Sequence, residues 1–164
     1  YARVGSTPRR IEPVDCDALA RGVARDLGPA LHEANATIEI RELPPVMGDR
    51  TQLRRVFQNL VANALKFRSE RAPKVTIDAR IEGTNAIFSI QDNGIGIAPE
   101  HRARIFRLFE RLHTREAYEG TGIGLAVCKR VVEQHDGTIS LESTPGGGST
   151  FVVSVPHRMP NAPR

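Results

Sequence analysis

Apolar and polar residues alternate most regularly in two stretches. Val75, Ile77, Ala79 and Ile81 alternate with Thr76, Asp78 and Arg80, and Ala86, Phe88 and Ile90 alternate with Ile87, Ser89 and Gln91. A period of two predicts strands with one buried face. Over residues 49–67 the period lengthens. At about 100° per residue, Leu53, Phe57, Leu60, Ala64 and Phe67 fall in one arc, which predicts a helix. Leu19, Val23, Leu27 and Leu31 share that spacing and predict a helix capped by Asp15 or Asp17 and running to about Ala34. Residues 126–133 read as another helix. Residues 10–14 and 37–41 read as short strands, the second broken by Leu43-Pro44-Pro45. Residues 138–143 and 149–155 form a last pair across Pro145-Gly146-Gly147-Gly148. No internal repeat is visible. Strands beside helices, with one polar sheet face, predict an α/β sandwich with its helices on one side.

One position breaks the pattern. Asp92 continues the Ala86/Phe88/Ile90 face and so points where the core should be. A carboxylate there needs strong donors, because burying an unpaired charge is costly. Asn93-Gly94-Ile95-Gly96-Ile97 follows, with open backbone and no bulk at the two glycines. A buried carboxylate beside open backbone suits a flat ligand with an amine edge, and adenine is such a ligand.

Two further patterns sharpen this. Gly120-Thr121-Gly122-Ile123-Gly124-Leu125 leads into the helix over 126–133. Free backbone N–H groups and the positive dipole end then coincide, which is a phosphate site. The spacing is neither a Walker loop nor a Rossmann fingerprint. On the helix over 49–67, Asn59, Asn63 and Lys66 line one arc beside the core stripe. Read alone, that arc is a solvated edge. Beside two glycine loops, Asn63 offers a neutral oxygen to Mg²⁺ and Lys66 a point charge to phosphate.

In this order the motifs resemble the catalytic and ATP-binding domain of bacterial sensor histidine kinases, of the GHKL ATPase superfamily. Residues 59–67 resemble its N box, 92–97 the first glycine box, 105–113 the F box, 120–125 the second glycine box and 146–151 the last glycine motif. The phrase Phe109-Glu110-Arg111-Leu112-His113 before Gly120-Thr121-Gly122 is similar to kinases of the phytochrome and PAS-linked type. One departure is His135-Asp136-Gly137 where the family commonly has His-Gly-Gly, and a slightly different helix cap is expected there. The resemblance implies a Bergerat fold, a two-layer α/β sandwich with a mixed sheet, helices on one face, and ATP between a helix and a flexible lid. It implies that Asp92 accepts from the adenine amine with Thr150 in support, that Gly94, Gly96 and Ile97 border the base, and that Asn63 coordinates Mg²⁺. Asn59, Asn63 and Lys66 are the implied catalytic residues. Gly120, Thr121, Gly122, Ile123, Gly124 and Leu125 flank the phosphates. Residues 111–120 would form the lid, with Arg111, His113 and Arg115 available to the phosphates.

The 164 residues suffice for one domain with a sizeable core. We expect it over residues 10–157, with residues 1–9 the tail of a preceding dimerisation helix and 158–164 a frayed tail. Net charge is +4 with scattered arginines and little aromatic interleaving, so no nucleic-acid partner is expected. No apolar run reaches membrane-span length, so no direct membrane insertion and a cytoplasmic site are expected, whether or not the full-length protein is membrane-anchored. Cys16 and Cys128 lie in predicted helices and read as buried free thiols. Of five histidines, His32, followed by Glu33, has the acidic neighbour that acceptor motifs show, but Ala34-Asn35-Ala36 and a strand follow, so it reads as a surface helix residue. His135, near a helix end, is expected where a partial positive charge is welcome. A phosphoacceptor histidine is therefore expected on an upstream dimerisation domain of the same protein. Expected partners are that domain and a response regulator, with a homodimer in the full-length protein and a monomeric isolated domain.

Two other classes compete. One is an ATP hydrolase or conformational clamp of the same superfamily, and the other a module that binds nucleotide without catalysis. The hydrolase branches carry Glu one turn before the metal-binding Asn, as base for water. Asn59 stands there instead, and an amide takes no proton at neutral pH.

Overall fold

Alternation builds the sheet. The computed structural model describes residues 10–106, 123–144 and 146–157. Five strands lie in the order β2-β4-β5-β7-β6: β2 (Thr37–Ile40), β4 (Lys74–Glu82), β5 (Asn85–Asp92), β7 (Ser149–Pro156) and β6 (Thr138–Ser143). β2 runs parallel to β4 and every other pairing is antiparallel, so the sheet is mixed. Register puts Ile77 opposite Ile90, Phe88 opposite Val153 and Leu141 opposite Phe151, all on the buried face. β1 (Glu12–Val14) and β3 (Val46–Gly48) form a separate antiparallel ribbon.

Helices cover that buried face. α3 (Arg50–Lys66) is capped by Asp49, whose side chain accepts the Gln52 N–H. Leu53, Phe57, Leu60 and Ala64 are buried as their spacing requires, and so are Val56, Val61 and Leu65. The stripe is wide because α3 packs on the sheet and on two helices, α1 (Cys16–Asp26) and α4 (Ile123–Gln134). Phe57 meets Phe88 edge to face at 5.5 Å, and Phe106 meets Phe151 likewise at 6.1 Å. Each fully buried apolar side chain of this size contributes about 1.5–3 kcal/mol.

One expectation needs correction. The helix expected to run to about Ala34 is two helices, α1 and α2 (Gly28–Glu33). Pro29 cannot donate the helical hydrogen bond, and its ring would strike the preceding turn, so the chain restarts at Gly28. Asp15 is the N-cap of α1, donated to by the Ala18 N–H, while Asp17 pairs with Arg21. His135 stands at the C-terminal end of α4, as expected. It is buried, its Nδ1–H donates to the Val131 carbonyl at 2.8 Å, and Nε2 accepts the Asp49 N–H at 3.0 Å. Cys16 and Cys128 are buried and free. Among the described residues no helix is long and apolar enough to cross a membrane.

Candidate functional site

β5 carries its alternation to its last residue. Asp92 ends the buried face, half-buried at the C-terminal end of this central strand. Oδ1 accepts two backbone N–H bonds, from Gly94 at 2.8 Å and from Ser149 at 3.2 Å. Oδ2 has no such partner among the described residues. Burial pushes the Asp92 carboxyl above the usual carboxylate range, and the two N–H bonds oppose that shift without cancelling it. The group is held by one oxygen and presents the other.

The glycines around it are there for clearance. A Cβ at Gly94 would overlap the Phe67 carbonyl, which also accepts the Ile95 N–H at 3.0 Å. Gly148, with φ +107°, crosses so closely that a Cβ would overlap the Asp92 carbonyl, and Gly96 has φ +75° against it. The first glycine loop and the 146–148 turn therefore stack backbone on backbone beside the carboxylate. Ile97 packs on the core and Ile95 is exposed.

Asn93 anchors this loop to the chain leaving α3. Its Oδ1 accepts the Lys74 N–H at 2.9 Å and its Nδ2 donates to the Ala72 carbonyl at 3.1 Å. Its own carbonyl accepts from Ser69 Oγ at 3.3 Å and Arg71 Nη2 at 3.1 Å.

α3 and α4 meet antiparallel. His135 touches Asp49, while Cys128 Sγ lies 3.9 Å from the Val56 carbonyl and donates to it. A Cβ on Gly124 would lie 3.7 Å from Asn59 Cγ. Asn59 therefore lies against the first turn of α4 and beside the Cys128 thiol, which burial pushes up to about 12 while Asn59 and Arg55 pull it back. Asn63, half-buried, comes one turn later, past the start of α4, and Lys66 is exposed at the end of the same arc. Near its C-terminus the helix reaches Phe67, whose carbonyl adjoins Gly94. Leu125 is partly buried against the core.

The structure thus sets Asn59 against Gly124 and, at the C-terminal end of α3, sets Gly94 and Asp92 beside Phe67 with Gly96 against Gly148, while Asn63 and Lys66 lie on the stretch of α3 between. Arg111, His113, Arg115, Gly120, Thr121 and Gly122, with the expected lid over 111–120, lie outside the described residues. Ile123 contributes the first backbone position of α4. Thr150 is not beside Asp92: it pairs with Gln91 on the opposite sheet face, and its hydroxyl shares a 2.9 Å hydrogen bond with Thr144. Ser149 is the neighbour of Asp92, in phase with buried Phe151, Val153 and Val155, and that phase is readable in the sequence. Asn93 and Arg71 were not anticipated; polar loop residues carry no periodicity.

Residues 48–159 match the family model described as histidine kinase-, DNA gyrase B- and HSP90-like ATPase. The chain is 44% identical over 156 residues to the phytochrome-like protein Cph1 of Synechocystis sp., covering 95% of this chain and 21% of that one. It is 43% identical over 129 residues to the sensor-like histidine kinase SenX3 of Mycobacterium tuberculosis, covering 74% of this chain and 31% of that one. The chain therefore spans about a fifth to a third of these relatives. Among solved structures, full-length ShkA in complex with AMPPNP superposes with a TM-score of 0.82 at 32% identity, covering 98% of this chain and 34% of that one.

Proposed function

Because this chain belongs to the histidine kinase, DNA gyrase B and HSP90-like ATPase family, we propose that it is the ATP-binding catalytic domain of a two-component sensor histidine kinase, working on the cytoplasmic side. In this reading it passes the γ-phosphoryl group of ATP to a histidine on an upstream dimerisation domain of the same protein, and a response regulator is the downstream partner. The observation that carries the reading is the Asp92 carboxylate, fixed through Oδ1 and presenting Oδ2 beside two stacked glycine loops. The adenine amine would donate to Oδ2, and Gly94, Gly96 and Ile97 would border the base. Guanine offers an oxygen where adenine has that amine, so GTP should bind poorly.

The phosphates would run from there along α3 toward the start of α4. Lys66 and the backbone N–H groups of Gly122, Ile123 and Gly124 would meet them. Among the described residues no group of three or more His, Cys, Asp or Glu could hold a metal ion. Mg²⁺ fits this donor set only by sharing phosphate oxygens, with Asn63 supplying a neutral amide oxygen. When bound, Mg²⁺ supplies charge neutralisation on the transferring group. The chain's own residues orient the nucleotide and exclude water, which phosphoryl transfer needs more than covalent help. Asn59, packed on α4, supplies no base for water, which favours transfer over hydrolysis.

Two measurements test this. Calorimetric titration should give Mg²⁺-enhanced ATP binding, and Asn63→Ala should remove the Mg²⁺ enhancement more than the binding itself; equal enhancement in both would remove Asn63 from the metal site. The chain alone should turn ATP over very slowly and not label itself. Supplying the upstream segment should yield an acid-labile, base-stable phosphoryl label on a histidine of that segment. Brisk hydrolysis by the chain alone would favour the hydrolase reading, and tight binding without transfer the non-catalytic one.

A further inference from the structure

Asp49 makes four connections at once. Its Oδ1 accepts the Gln52 N–H at 3.1 Å and caps α3. Its carbonyl accepts the Leu53 N–H at 2.9 Å, the first bond of that helix. Its own N–H donates to His135 Nε2 at the end of α4. Its Oδ2 accepts the Arg10 N–H at 3.1 Å, from the segment that enters the fold just before β1. Gly48 is without a side chain for the sake of this junction, since a Cβ there would lie within 3.0 Å of both the His135 ring and Leu53.

A cap needs only one side-chain oxygen, and serine or asparagine does as well as aspartate. The second oxygen of Asp49 is therefore available for the entering segment. α3 is the helix of Asn59, Asn63 and Lys66. Its start is bonded to the segment that, on the reading above, leads to the acceptor histidine, and its end is bonded to the loop of Asp92.

We propose that Asp49 is a positioning residue for phosphoryl transfer, joining the segment before β1 to the N-terminus of α3 and the C-terminus of α4, so that the Asn59/Asn63/Lys66 arc is set relative to the segment that carries the acceptor. This rests on the kinase reading. Adenine is held at the far end of α3, so loosening the Asp49 end shifts the reacting geometry and leaves nucleotide affinity in place. Small misplacements of reacting groups cost rate steeply.

Two variants separate this role from capping. Asp49→Ser keeps the cap and deletes the second acceptor. Arg10→Pro deletes the N–H donor and leaves Asp49 intact. In the chain extended by its own upstream segment, each should lower kcat for histidine labelling on the order of 3- to 10-fold, the worth of one hydrogen bond. KM for ATP should stay within about twofold, and the double variant should be no slower than either single one. Asp49→Ala, which also loses the cap, should lower the thermal midpoint where Asp49→Ser does not. In the 164-residue chain, Arg10→Pro should move the amide resonances of Gln52 and Leu53 and, further along α3, those of Asn59 and Asn63. Additive rate losses, a raised KM with kcat unchanged, or resonance shifts confined to residues 11 and 49 would each overturn the proposal. If the wild-type chain labels no histidine, the kinase reading fails, and the resonance shifts still decide whether Asp49 couples the segment to α3.

Discussion

At the residue scale, Asp92 has its two oxygens in different roles. Both N–H bonds fall on Oδ1, so asparagine can keep them with its amide oxygen and set Nδ2 where Oδ2 was. Asp92→Asn should therefore fold and lose adenine nucleotide affinity by about 2–3 kcal/mol, some 30- to 150-fold, measured by titration calorimetry. The same change should stabilise the nucleotide-free chain at neutral pH. Burial raises the folded-state carboxyl above its unfolded value, so over the window between the two the folded state holds more protons. The stability contributed by this group is complete below the window and is lost as pH rises through it. The thermal midpoint of Asp92→Asn should exceed that of the wild type at pH 7, and the gap should close as pH falls through the carboxylate range. A lower midpoint for the variant at pH 7 would show that the charge is not a burden to the fold. Asp92 was legible because a carboxylate interrupted a period-two face. Ser149 shares that kind of signal, one strand away, and reading its phase with Phe151 would have selected it over Thr150. Asn93 was not legible, because its four partners lie between residues 69 and 74 in a connection whose path only the fold defines.

At the element scale, the sequence pattern located every strand of the main sheet, the short strand β1 and the long helix, and missed β3 and the break between α1 and α2. β3 has three residues after Pro44-Pro45, too few to show a period, and it exists because β1 pairs with it. The α1–α2 break was hidden because Leu27 and Leu31 keep helical spacing across it, while Pro29 fixes the interruption. The end of α4 explains the Asp136-Gly137 pair. Asp136 takes the left-handed conformation that stops the helix, at φ +58°, and Gly137 donates to the Val132 carbonyl so close to β7 that a Cβ would overlap the Ser154 carbonyl. The two positions therefore differ in what they require. Asp136→Gly should stabilise the chain by about 0.5–1 kcal/mol, by removing left-handed strain. Gly137→Ala should cost more than about 3 kcal/mol, because backbone must move to admit the methyl group. Denaturant midpoints at constant m-value measure both, and equal effects at the two sites would contradict this division.

At the scale of the whole molecule, α3 binds the parts together: the β1–β3 ribbon through Asp49, α4 along its length, and the loop after Asp92, the proposed nucleotide rim, through Phe67. Such sharing predicts a single cooperative unit, and the two cysteines report on it from opposite regions. Cys16 starts α1 beside the ribbon, and Cys128 lies under the α3–α4 seam next to Asn59. Both are fully buried, and burial pushes both thiols up to about 12. At pH 8 either thiol stays protonated for as long as it is buried. Labelling by iodoacetamide must therefore proceed through opening. If the molecule opens as one unit, saturating Mg-ATP slows both reactions by the same factor, roughly 1 + [ATP]/Kd, although of the two cysteines only Cys128 adjoins Asn59, on the helix proposed to meet the phosphates. Alkylation followed by mass spectrometry at each cysteine, with and without Mg-ATP, measures this. We expect equal protection at the two sites. Protection of Cys128 alone would mean that the corner formed by β1, β3 and α1 opens independently of the nucleotide rim, and that Asp49 does not tie the two together.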